Sequence, residues 1–413
     1  MENNIFSSAK ILVPYYSPNS ENFKKWAVIA CDQYTSEPKY WSDVESYTDN
    51  ACSSYDYILP EAYLGTDREE SKKSSIIAYM NASWSSPVRP VEPRVTGFMY
   101  VERHLSNGKI RRGILGKIDL EQYDFTSDSS SAVRATEQTV ESRIPARRKM
   151  REHATIELPH IMVFANDKTE LFDKAKSLSE NGRLMYDFDL MMDGGRIVGH
   201  AIEGNDAEIL ENAVAENEKA SSLPYAVGDG NHSLAAAKAH YENIKASLGD
   251  KAAEHPSRWA LCEIVSIDDE SVEFEPIYRI MKNVSADDVK TSLDKITEKG
   301  AEGTQNITVI TSSEEYTTSF NTPTHALTVG TLQNFIDEYV SAHEGAECDY
   351  IHGIANLREL AKEENTVAFL FDGIKKSELF DGIKDGPLPR KTFSMGDAKS
   401  KRYYLEARLI IIP

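Results

Sequence analysis

Residues 224–242, PYAVGDGNHSLAAAKAHYE, contain three successive signals of local structure. The apolar run PYAV is typical of a short buried strand, and the polar cluster DGNH (229–232) is typical of a turn. The alanine-rich run from about 233 to 249 predicts a helix. Gly230 can adopt a positive φ without steric cost. The stretch therefore predicts a strand that ends in a polar turn at the start of a helix.

This predicted junction has the properties of a seat for an anion. The first backbone N–H groups of a helix have no partner inside the helix, and the positive end of the helix dipole lies there. Asn231 or Ser233 can cap the helix, Asp229 can act as a metal ligand or base, and His232 can donate to a phosphate or act as an acid. The alternative is a structural turn with a satisfied, partly buried histidine. Spacing alone leaves both interpretations open.

Composition sets broad limits on the class of protein. The chain has 413 residues, of which 40% are hydrophobic and 27% charged, so we expect a folded protein of two or three domains. No window approaches the roughly 18 apolar residues that span a bilayer, and the N-terminus does not resemble a secretory signal. A cytoplasmic location is expected. The four cysteines are far apart and indicate neither disulfides nor a structural zinc site: Cys31, Cys52, Cys262 and Cys348.

Two basic clusters interrupt a strongly acidic chain. The formal net charge is -20, which disfavours broad binding to nucleic acid. The clusters lie at 134–151 and 390–402. One interpretation is a solvated surface of ion pairs, and the other is an anion site. The loop 386–402 carries Arg390 and Lys391 and could close over an anion as a lid, although an ordinary surface loop is equally compatible with its sequence.

The rest of the chain mixes hairpins with strand–helix alternation. Hairpin turns are predicted at 107–108 and 193–194, a strand at WAVIA (26–30), and a closing strand at RYYLEARLIII (402–412). These elements predict an α+β or α/β protein with mixed sheets. We place boundaries near residues 125 and 284, which gives an N-terminal α/β region with a hairpin (1–125), a central core (126–284) and a C-terminal α/β region with a basic loop (285–413).

The stretch RATEQTVESRIPARRK (134–149) predicts a helix that Pro145 ends or kinks. Glu137 and Glu141 would then share one helical face, and a purely structural pairing with nearby arginines is one interpretation. Phosphoryl transfer offers another, because it needs cations on nonbridging oxygens and a carboxylate for the substrate proton or for magnesium. In that interpretation three arginines bind phosphate and one glutamate is the base or the magnesium ligand: Arg134, Arg143, Arg147 and Glu137.

Histidines suggest a different chemistry. Glu157 precedes His160 by three residues, and Asp349 precedes His352 by the same spacing. This spacing could hold a metal on a helix, although Pro159 argues against a helix at the first pair. A metal site built from His160, His232 and His352 is therefore a separate candidate.

Several long stretches of the chain resemble the domain of unknown function 1015 family of bacterial and archaeal proteins. The resemblance covers nearly the whole length. Its stretches are WAVIACDQYTSEPKYW (26–41), RATEQTVESRIPARRKMR (134–151), IELPHIMV (156–163), GDGNHSLAAAK (228–238), FEPIYRI (274–280), DYIHG (349–353) and LPRKTFSMGDAKSKRYYLEAR (388–408).

The segment DGNH is also similar to the signature of the ParB/sulfiredoxin superfamily, which includes nucleotide-hydrolysing partition proteins, sulfiredoxin and a free-serine kinase. The resemblance implies that 126–284 is a ParB/sulfiredoxin-like nucleotide-binding core in which Gly230, Asn231 and His232 face phosphates and Asp229 lies near the transferred group. The superfamily signature ends in arginine, but this chain has Ser233. A hydroxyl cannot replace a bidentate guanidinium, so positive charge must come from other segments.

These observations lead to a hypothesis of nucleotide-dependent phosphoryl transfer involving a small hydroxyl metabolite, with serine or phosphoserine as the best guess. ATP or ADP and Mg²⁺ are the expected cofactors, and the partners are small molecules rather than nucleic acid or membrane. Alternatives are a ParB-like nucleotide-gated binding protein without metabolite chemistry and a metal-dependent hydrolase. The expected catalytic residues are Asp229, Glu137 and His232, and the expected nucleotide ligands are Gly230, Asn231, Ser233, Arg134, Arg143, Arg147, Arg390 and Lys391.

Overall fold

A computed structural model describes residues 4–34, 37–49, 51–63, 65–82, 94–126, 129–299, 305–384 and 386–412. The chain divides into two compact units. The first unit comprises Met1–Val272 with Asp397–Pro413, and the second comprises Glu273–Gly396. This division is based on contacts within the chain, and it assigns the C-terminal segment Asp397–Pro413 to the first unit. The three regions that the sequence analysis drew by expected function, including the nucleotide-binding core at 126–284, stay a prediction.

The first unit is built on a large mixed sheet. Its strands are β1 Phe6–Ser7, β2 Ala9–Ile11, β3 Val95–His104, β4 Ile110–Asp119, β5 Tyr123–Asp124, β6 Val133–Ala135, β7 Ile156–Glu157, β8 Met162–Ala165, β9 Leu184–Asp189, β10 Arg196–Glu203, β11 Tyr225–Asp229 and β12 Trp259–Ser266. In the part of the chain that the structure describes, eleven of these form one sheet in the order β5-β6-β11-β8-β12-β4-β3-β10-β9, with β1 on β4 and β2 on β3. Parallel pairs (β5–β6, β6–β11, β8–β12) occur among antiparallel ones, as the predicted mixed fold requires.

Helices and the C-terminal segment cover the sheet. The helices are α1 Glu21–Trp26, α2 Pro38–Thr48, α3 Arg68–Ala82, α4 Ile144–Glu152, α5 Leu171–Ser179, α6 Gly204–Ala220 and α7 Asn231–Leu248. Alternation along β12 separates two cores: Cys262 and Ile264 pack with α5, α6 and α7, whereas Leu261 packs with the N-terminal helices and the C-terminal segment. No helix of the described ranges is long and apolar enough to cross a bilayer.

Both predicted hairpins are confirmed. β3 and β4 pair antiparallel around the Asn107-Gly108 turn, where Gly108 has a φ of 83°. β10 pairs antiparallel with both β3 and β9, so the second hairpin continues the first across the sheet. The residue types in the two turns were therefore enough to predict the β3–β4 and β9–β10 pairings.

Two predicted strands are wrong. In WAVIA, Trp26 ends helix α1 and Val28 makes a single bridge to Tyr404. In the closing segment, a strand spans Arg408–Leu409 alone (β20), paired with β7. Side-chain ion pairs hold the rest of that segment: Arg402 is buried and bonded to Glu263 and Glu406. Buried charges must be paired, so these ion pairs hold the segment where backbone hydrogen bonds of a continuous strand were expected.

The predicted helix over RATEQTVESRIPARRK is also wrong in its bounds. Residues Val133–Ala135 form β6, which pairs in parallel with β11, and helix α4 begins at Ile144. Glu137 and Glu141 therefore do not share a helical face. Pro145 lies in the first turn of α4 rather than at its end, a position where the missing N–H costs nothing.

The second unit contains its own sheet and core. Its strands are β13 Glu275–Lys282, β14 Thr297–Lys299, β15 Asn306–Ile310, β16 Glu315–Phe320, β17 Glu347–His352, β18 Thr366–Phe371 and β19 Phe393–Ser394. They follow the order β14-β16-β15-β18-β13-β17, with β19 beside β13. The helices are α8 Ala286–Leu293, α9 Thr328–Ala342, α10 Ile354–Leu360 and α11 Leu379–Gly382. Ser285 caps α8, because its side chain accepts a hydrogen bond from the Asp288 amide.

Candidate functional site

The β11–α7 junction is formed as the sequence predicted, with one correction. Gly230 has a φ of 87°, and a Cβ added there would lie 3.1 Å from Ile161 Cγ1. Glycine is therefore favoured by both backbone conformation and space. Gly230 itself is the N-cap of α7, and no side chain caps the helix. The expected caps, Asn231 and Ser233, instead lie within the first turn.

The amides of this first turn differ in availability. Asp229 Oδ1 accepts a hydrogen bond of 2.9 Å from the Gly230 amide, so the aspartate already occupies the first donor. Among the described residues, no protein group accepts from the backbone N–H of Asn231 or Ser233. The Oδ1 atom of Asn231 is buried and has no hydrogen-bond partner in the same part of the chain. The seat for an anion therefore begins one residue later than the sequence suggested.

His232 connects the helix to the loop that precedes α4. Its Nε2 accepts a 3.2 Å hydrogen bond from the Val140 amide. A neutral imidazole with an accepting Nε2 carries its proton on Nδ1. The hydroxyl of Thr136 donates to Val227 O at 2.7 Å and fixes the start of the same loop. His232 therefore has a positioning contact in addition to any contact with a ligand.

Glu137 follows strand β6, and Asp229 is the last residue of the adjacent strand β11, so both lie at the same edge of the sheet. β6 and β11 are parallel, and Ala135 is level with Val227. Each carboxylate residue comes two positions after this pair. The carboxyl ends of parallel strands are where α/β folds commonly place their sites. The structure thus brings two of the predicted catalytic residues to one edge.

A cleft of about 430 Å³ opens beside this edge. It brings together three predicted phosphate ligands, Arg143, Arg147 and Ser233, and it also contains His160. Arg143 is the exposed N-cap of α4, and Arg147 Nη1 donates to the Arg143 carbonyl at 3.3 Å. Much of the remaining lining is apolar: Leu59, Ile76, Met80, Ala146, Met150, Ala154, Ile156, Leu158, Ile161 and Ala236. Positive charge and an apolar wall thus face one space.

The other predicted cationic ligands are placed differently. Arg134 lies on β6 and donates through Nε to Ser131 O at 3.1 Å. In the second unit, Arg390 Nε donates to Tyr350 Oη at 3.1 Å, and Lys391 Nζ lies 5.4 Å from the centre of that ring. A role for these three residues in nucleotide binding stays a prediction.

The sequence alone does not indicate Tyr404, or the contacts of His160 and Asp229. Tyr404 is hydrogen-bonded to His160 Nδ1 at 2.6 Å. Lys401 Nζ lies 3.7 Å from Asp229 Oδ2. Burial lowers the pKa of His160, the positive charges of Lys401 and Arg147 lower it further, and Asp229 opposes them. The signal available in the sequence was the 388–408 stretch, which resembles the family but does not show which strand it approaches.

Glu157 and Asp349, which the sequence offered as metal ligands, have other partners. Glu157 is buried, pairs with Arg151 and Arg408, and accepts from the Leu261 amide at 2.8 Å. Burial favours its neutral form, but the two arginines outweigh that effect and lower its pKa. Asp349 lies on strand β17 and pairs with Lys282 at 2.8 Å. In the described residues, no group of three or more His, Cys, Asp or Glu side chains could hold a metal ion.

Comparisons with known proteins give a family and distant fold similarities. No curated protein matches the chain. A mutant free serine kinase in complex with ADP is 12% identical, with a TM-score of 0.39, over 72% of this chain and 92% of that chain. A conserved hypothetical protein from Pyrococcus furiosus is 14% identical, with a TM-score of 0.34, over 72% and 91% of the two chains. For SbnI with a C-terminal truncation, from Staphylococcus aureus, the values are 11%, 0.34, 72% and 82%.

Likenesses at these TM-scores carry no argument about activity. The family match is of a different kind, because it compares the sequence with a model of a whole family and covers residues 15–370. It confirms the resemblance on which the sequence analysis relied, while the relation to the ParB/sulfiredoxin superfamily stays a prediction. The chain belongs to the family described as Protein of unknown function (DUF1015).

Proposed function

We propose that the protein transfers a phosphoryl group between a purine nucleotide and a small hydroxyl metabolite, with free serine or phosphoserine as the best single candidate. One observation carries the proposal: the first turn of α7 meets the cleft at Ser233, where Arg143 and Arg147 also face it. Amide donors at a helix N-terminus and two guanidinium groups are the elements that a polyphosphate needs.

The nucleotide would bind with its phosphates at the α7 N-terminus. The amides of Asn231 and Ser233 would donate to phosphate oxygens, and the two arginines would supply the charge that the Ser233 hydroxyl cannot. The apolar wall formed by residues such as Met80, Met150 and Leu158 would contact the base. A cleft of about 430 Å³ lies within the size range of small-molecule sites. The buried, unpartnered Oδ1 of Asn231 would accept a hydrogen bond from the ligand or from an ordered water.

The carboxylates at the strand ends would serve the transfer itself. In the direction of metabolite phosphorylation, the hydroxyl oxygen forms a bond to the terminal phosphorus while the bond to the bridging oxygen breaks. The leaving nucleotide takes that electron pair, and Asp229 takes the hydroxyl proton. His232 would donate to a phosphate oxygen through its Nδ1–H.

Mg²⁺ fits the residues at this edge. Magnesium is commonly held by one or two carboxylates together with substrate phosphates, so a three-residue protein cage is not needed. Glu137, which lies two residues past β6 at the edge where β11 ends in Asp229, would hold the ion. Bound magnesium would neutralise charge on the phosphate oxygens.

Thermal-shift measurements with ATP, ADP, CTP, serine and phosphoserine, with and without Mg²⁺, test the proposal. A nucleotide at about 100 times its Kd adds about 2.7 kcal/mol to the free energy of unfolding. We expect stabilisation by ATP or ADP with Mg²⁺, and phosphoserine formed from serine in ³¹P NMR. Stabilisation by CTP together with DNA retention would favour the ParB-like alternative, and tightly bound zinc would favour the hydrolase. If no nucleotide shifts the melting temperature, the proposal is wrong.

A further inference from the structure

Two buried arginines lie directly opposite each other on β3 and β4. Arg103 is 1% exposed, Arg111 is 5% exposed, and the two are register partners in the sheet. Like charges at such a pair are destabilising, and isolated buried charges are more so. In the described residues neither arginine has a carboxylate within ion-pair distance, and the Nε atom of each is buried without a hydrogen-bond partner. Backbone carbonyl oxygens and the Tyr403 ring, whose centre lies 4.7 Å from Arg103 Cζ, take the place of a carboxylate partner.

Both arginines bind the backbone of the same short segment. Arg103 Nη2 donates to the carbonyl oxygen of Lys399 at 2.8 Å, and Arg111 Nη1 donates to that of Ser400 at 2.7 Å. Lys401 comes next in the chain, and the residue after it, Arg402, is held in place by hydrogen bonds of its own side chain. Its Nε donates to Glu263 at 2.8 Å, and its Nη1 donates to the Pro159 carbonyl at 2.8 Å. Lys401 is thus the residue between two fixed points.

The Lys401 side chain extends to the edge that carries the proposed site. Its Nζ lies 3.7 Å from Asp229 Oδ2, and its side chain is 15% exposed. That separation exceeds the 2.7–3.2 Å of a typical hydrogen bond, so the two groups attract each other without bonding. Lys401 also contributes to the electrostatic environment of His160, a residue that lines the cleft with Arg147. A lysine is a compact charge on a flexible stem, so a fixed backbone is what makes its position reproducible.

We propose that Lys401 contacts the transferred phosphoryl group, and that Arg103 and Arg111 are positioning residues that hold the Lys399 and Ser400 carbonyl oxygens so that Lys401 reaches it. This inference rests on the proposed function. An ammonium group fixed beside the proton acceptor would stabilise negative charge on the nonbridging oxygens as it develops.

Amine labelling tests the contact directly, with Lys399 as an internal control two residues away. The intact protein is acetylated at a limiting reagent concentration with no ligand, with inorganic phosphate, and with ADP or ATP and Mg²⁺, and the modified lysines are quantified by mass spectrometry. We expect ADP with Mg²⁺, or ATP with Mg²⁺ where ATP is the donor, to slow modification of Lys401 at least several-fold and to leave Lys399 unchanged. Lys401→Met should lower turnover, whereas Lys174→Met, at an exposed position of α5, should not.

The outcomes separate the two proposals. If neither ADP nor ATP shifts the melting temperature of the wild-type protein, the proposed function fails and this inference fails with it. If nucleotide binds and turns over while Lys401 labelling and the turnover of Lys401→Met stay at wild-type values, only the inference about Lys401 is overturned.

Arg111→Lys tests the positioning role and keeps the buried charge while shortening its reach. We expect faster hydrogen exchange of the amides in 399–402, a kcat reduced by about tenfold, and a nucleotide KM within about twofold of wild type. Arg103→Lys provides a second variant if the first does not fold. Faster exchange with wild-type kcat would show that the arginines only stabilise the segment.

Discussion

Within the described residues, each unit contains a strand–glycine–helix junction whose glycine is the N-cap of the helix. In the first unit, β11 leads through Gly230 into α7, and in the second, β17 leads through Gly353 into α10. The two glycines are both N-cap residues with positive φ, 87° and 81°, and no side chain caps either helix. The backbones still differ, because ψ is 25° at Gly230, in the left-handed region, and 136° at Gly353, outside that region.

Their surroundings differ. A Cβ at Gly230 would press on Ile161 at 3.1 Å, whereas a Cβ at Gly353 would meet nothing nearer than 4.0 Å. α7 has 18 residues and begins beside the cleft with Arg143 and Arg147, whereas α10 has seven and is largely exposed. The comparison shows that the strand–glycine–helix unit supplies only backbone donors. The carboxylate of Asp229 is specific to the first junction, and the cations that would complete a site come from elsewhere in the chain.

The largest expected difference between the junctions concerns the residue before each glycine. Asp229→Asn removes the proposed proton acceptor but keeps an oxygen that can accept from the Gly230 amide. We expect turnover to fall by about 10²–10⁴ with little change in melting temperature. His352→Asn changes the equivalent position of the second junction and should leave turnover unchanged. Wild-type turnover in Asp229→Asn would remove this residue from the mechanism.

The second difference is burial along the helix. α7 buries His240, and burial together with the charge of Arg151 lowers the pKa of His240 to about 4. The unfolded chain binds this proton near the ordinary value of about 6.5. The free energy of unfolding is therefore unaffected by this ring above about pH 6.5. As the pH falls from 6.5 towards 4, the unfolded chain binds the proton first, and the free energy of unfolding declines by about 1.4 kcal/mol per pH unit.

Urea unfolding at pH 7.5 and 4.5 measures this effect. His240→Leu should lose up to about 3 kcal/mol less than the wild type between the two pH values. His153→Leu, at an exposed position after α4, is the control and should follow the wild type. An identical pH dependence in His240→Leu and wild type would show that this ring does not sense pH in the folded protein.

Sequence signals that act over a few residues gave correct structure, and those that depend on distant chain did not. The Asn107-Gly108 and Asp193-Gly194 turns and the positive φ of Gly230 follow from local chemistry. The helix predicted over 134–149, in contrast, begins as a strand, because Val133–Ala135 pairs with β11, which lies 92 residues later in the register (Val133 with Tyr225). Tertiary pairing overrides weak helix propensity in such cases.

The candidate site shows the same limit. The sequence predicts a site at Asp229, Gly230 and the cations of the 134–151 cluster, since their residue types suggest phosphate chemistry. It could not locate the contact of Lys401 with Asp229, or that of Arg103 with the Lys399 carbonyl, which joins positions 296 residues apart. Such contacts are set by the order of strands in the sheet, and no short sequence pattern encodes that order.

The cations of the cleft supply the third test. Arg147→Met should weaken ADP or ATP binding by about 10–100-fold, since a hydrogen bond to a charged group contributes about 1.5–3 kcal/mol. Arg148 is the matched control, because it lies next along α4 and pairs with Glu152 at 3.5 Å. Isothermal titration calorimetry would compare Arg147→Met, Arg148→Met and wild type. Equal affinities for all three would place the phosphates away from α4.

The smallest expected difference comes from the glycines themselves, and it tests the comparison most directly. Alanine in a left-handed conformation costs about 1–2 kcal/mol, and the Ile161 side chain must also move by a few tenths of an ångström, so Gly230→Ala should lower the free energy of unfolding of its unit by about this amount. Gly353→Ala should cost at least as much, since its φ of 81° and ψ of 136° lie outside the left-handed region that alanine can enter.

Nucleotide affinity separates the two variants more clearly than stability does. Any shift of Gly230 moves the amides of Asn231 and Ser233 that would bind phosphate, so Gly230→Ala should weaken ADP binding while Gly353→Ala leaves it unchanged. Urea unfolding followed by calorimetric titration measures both quantities on the same samples. Loss of stability with no change in ADP affinity in either variant would mean that the amides after Gly230 do not bind the phosphates. The asymmetry between the two junctions would then have to arise from the arginines alone.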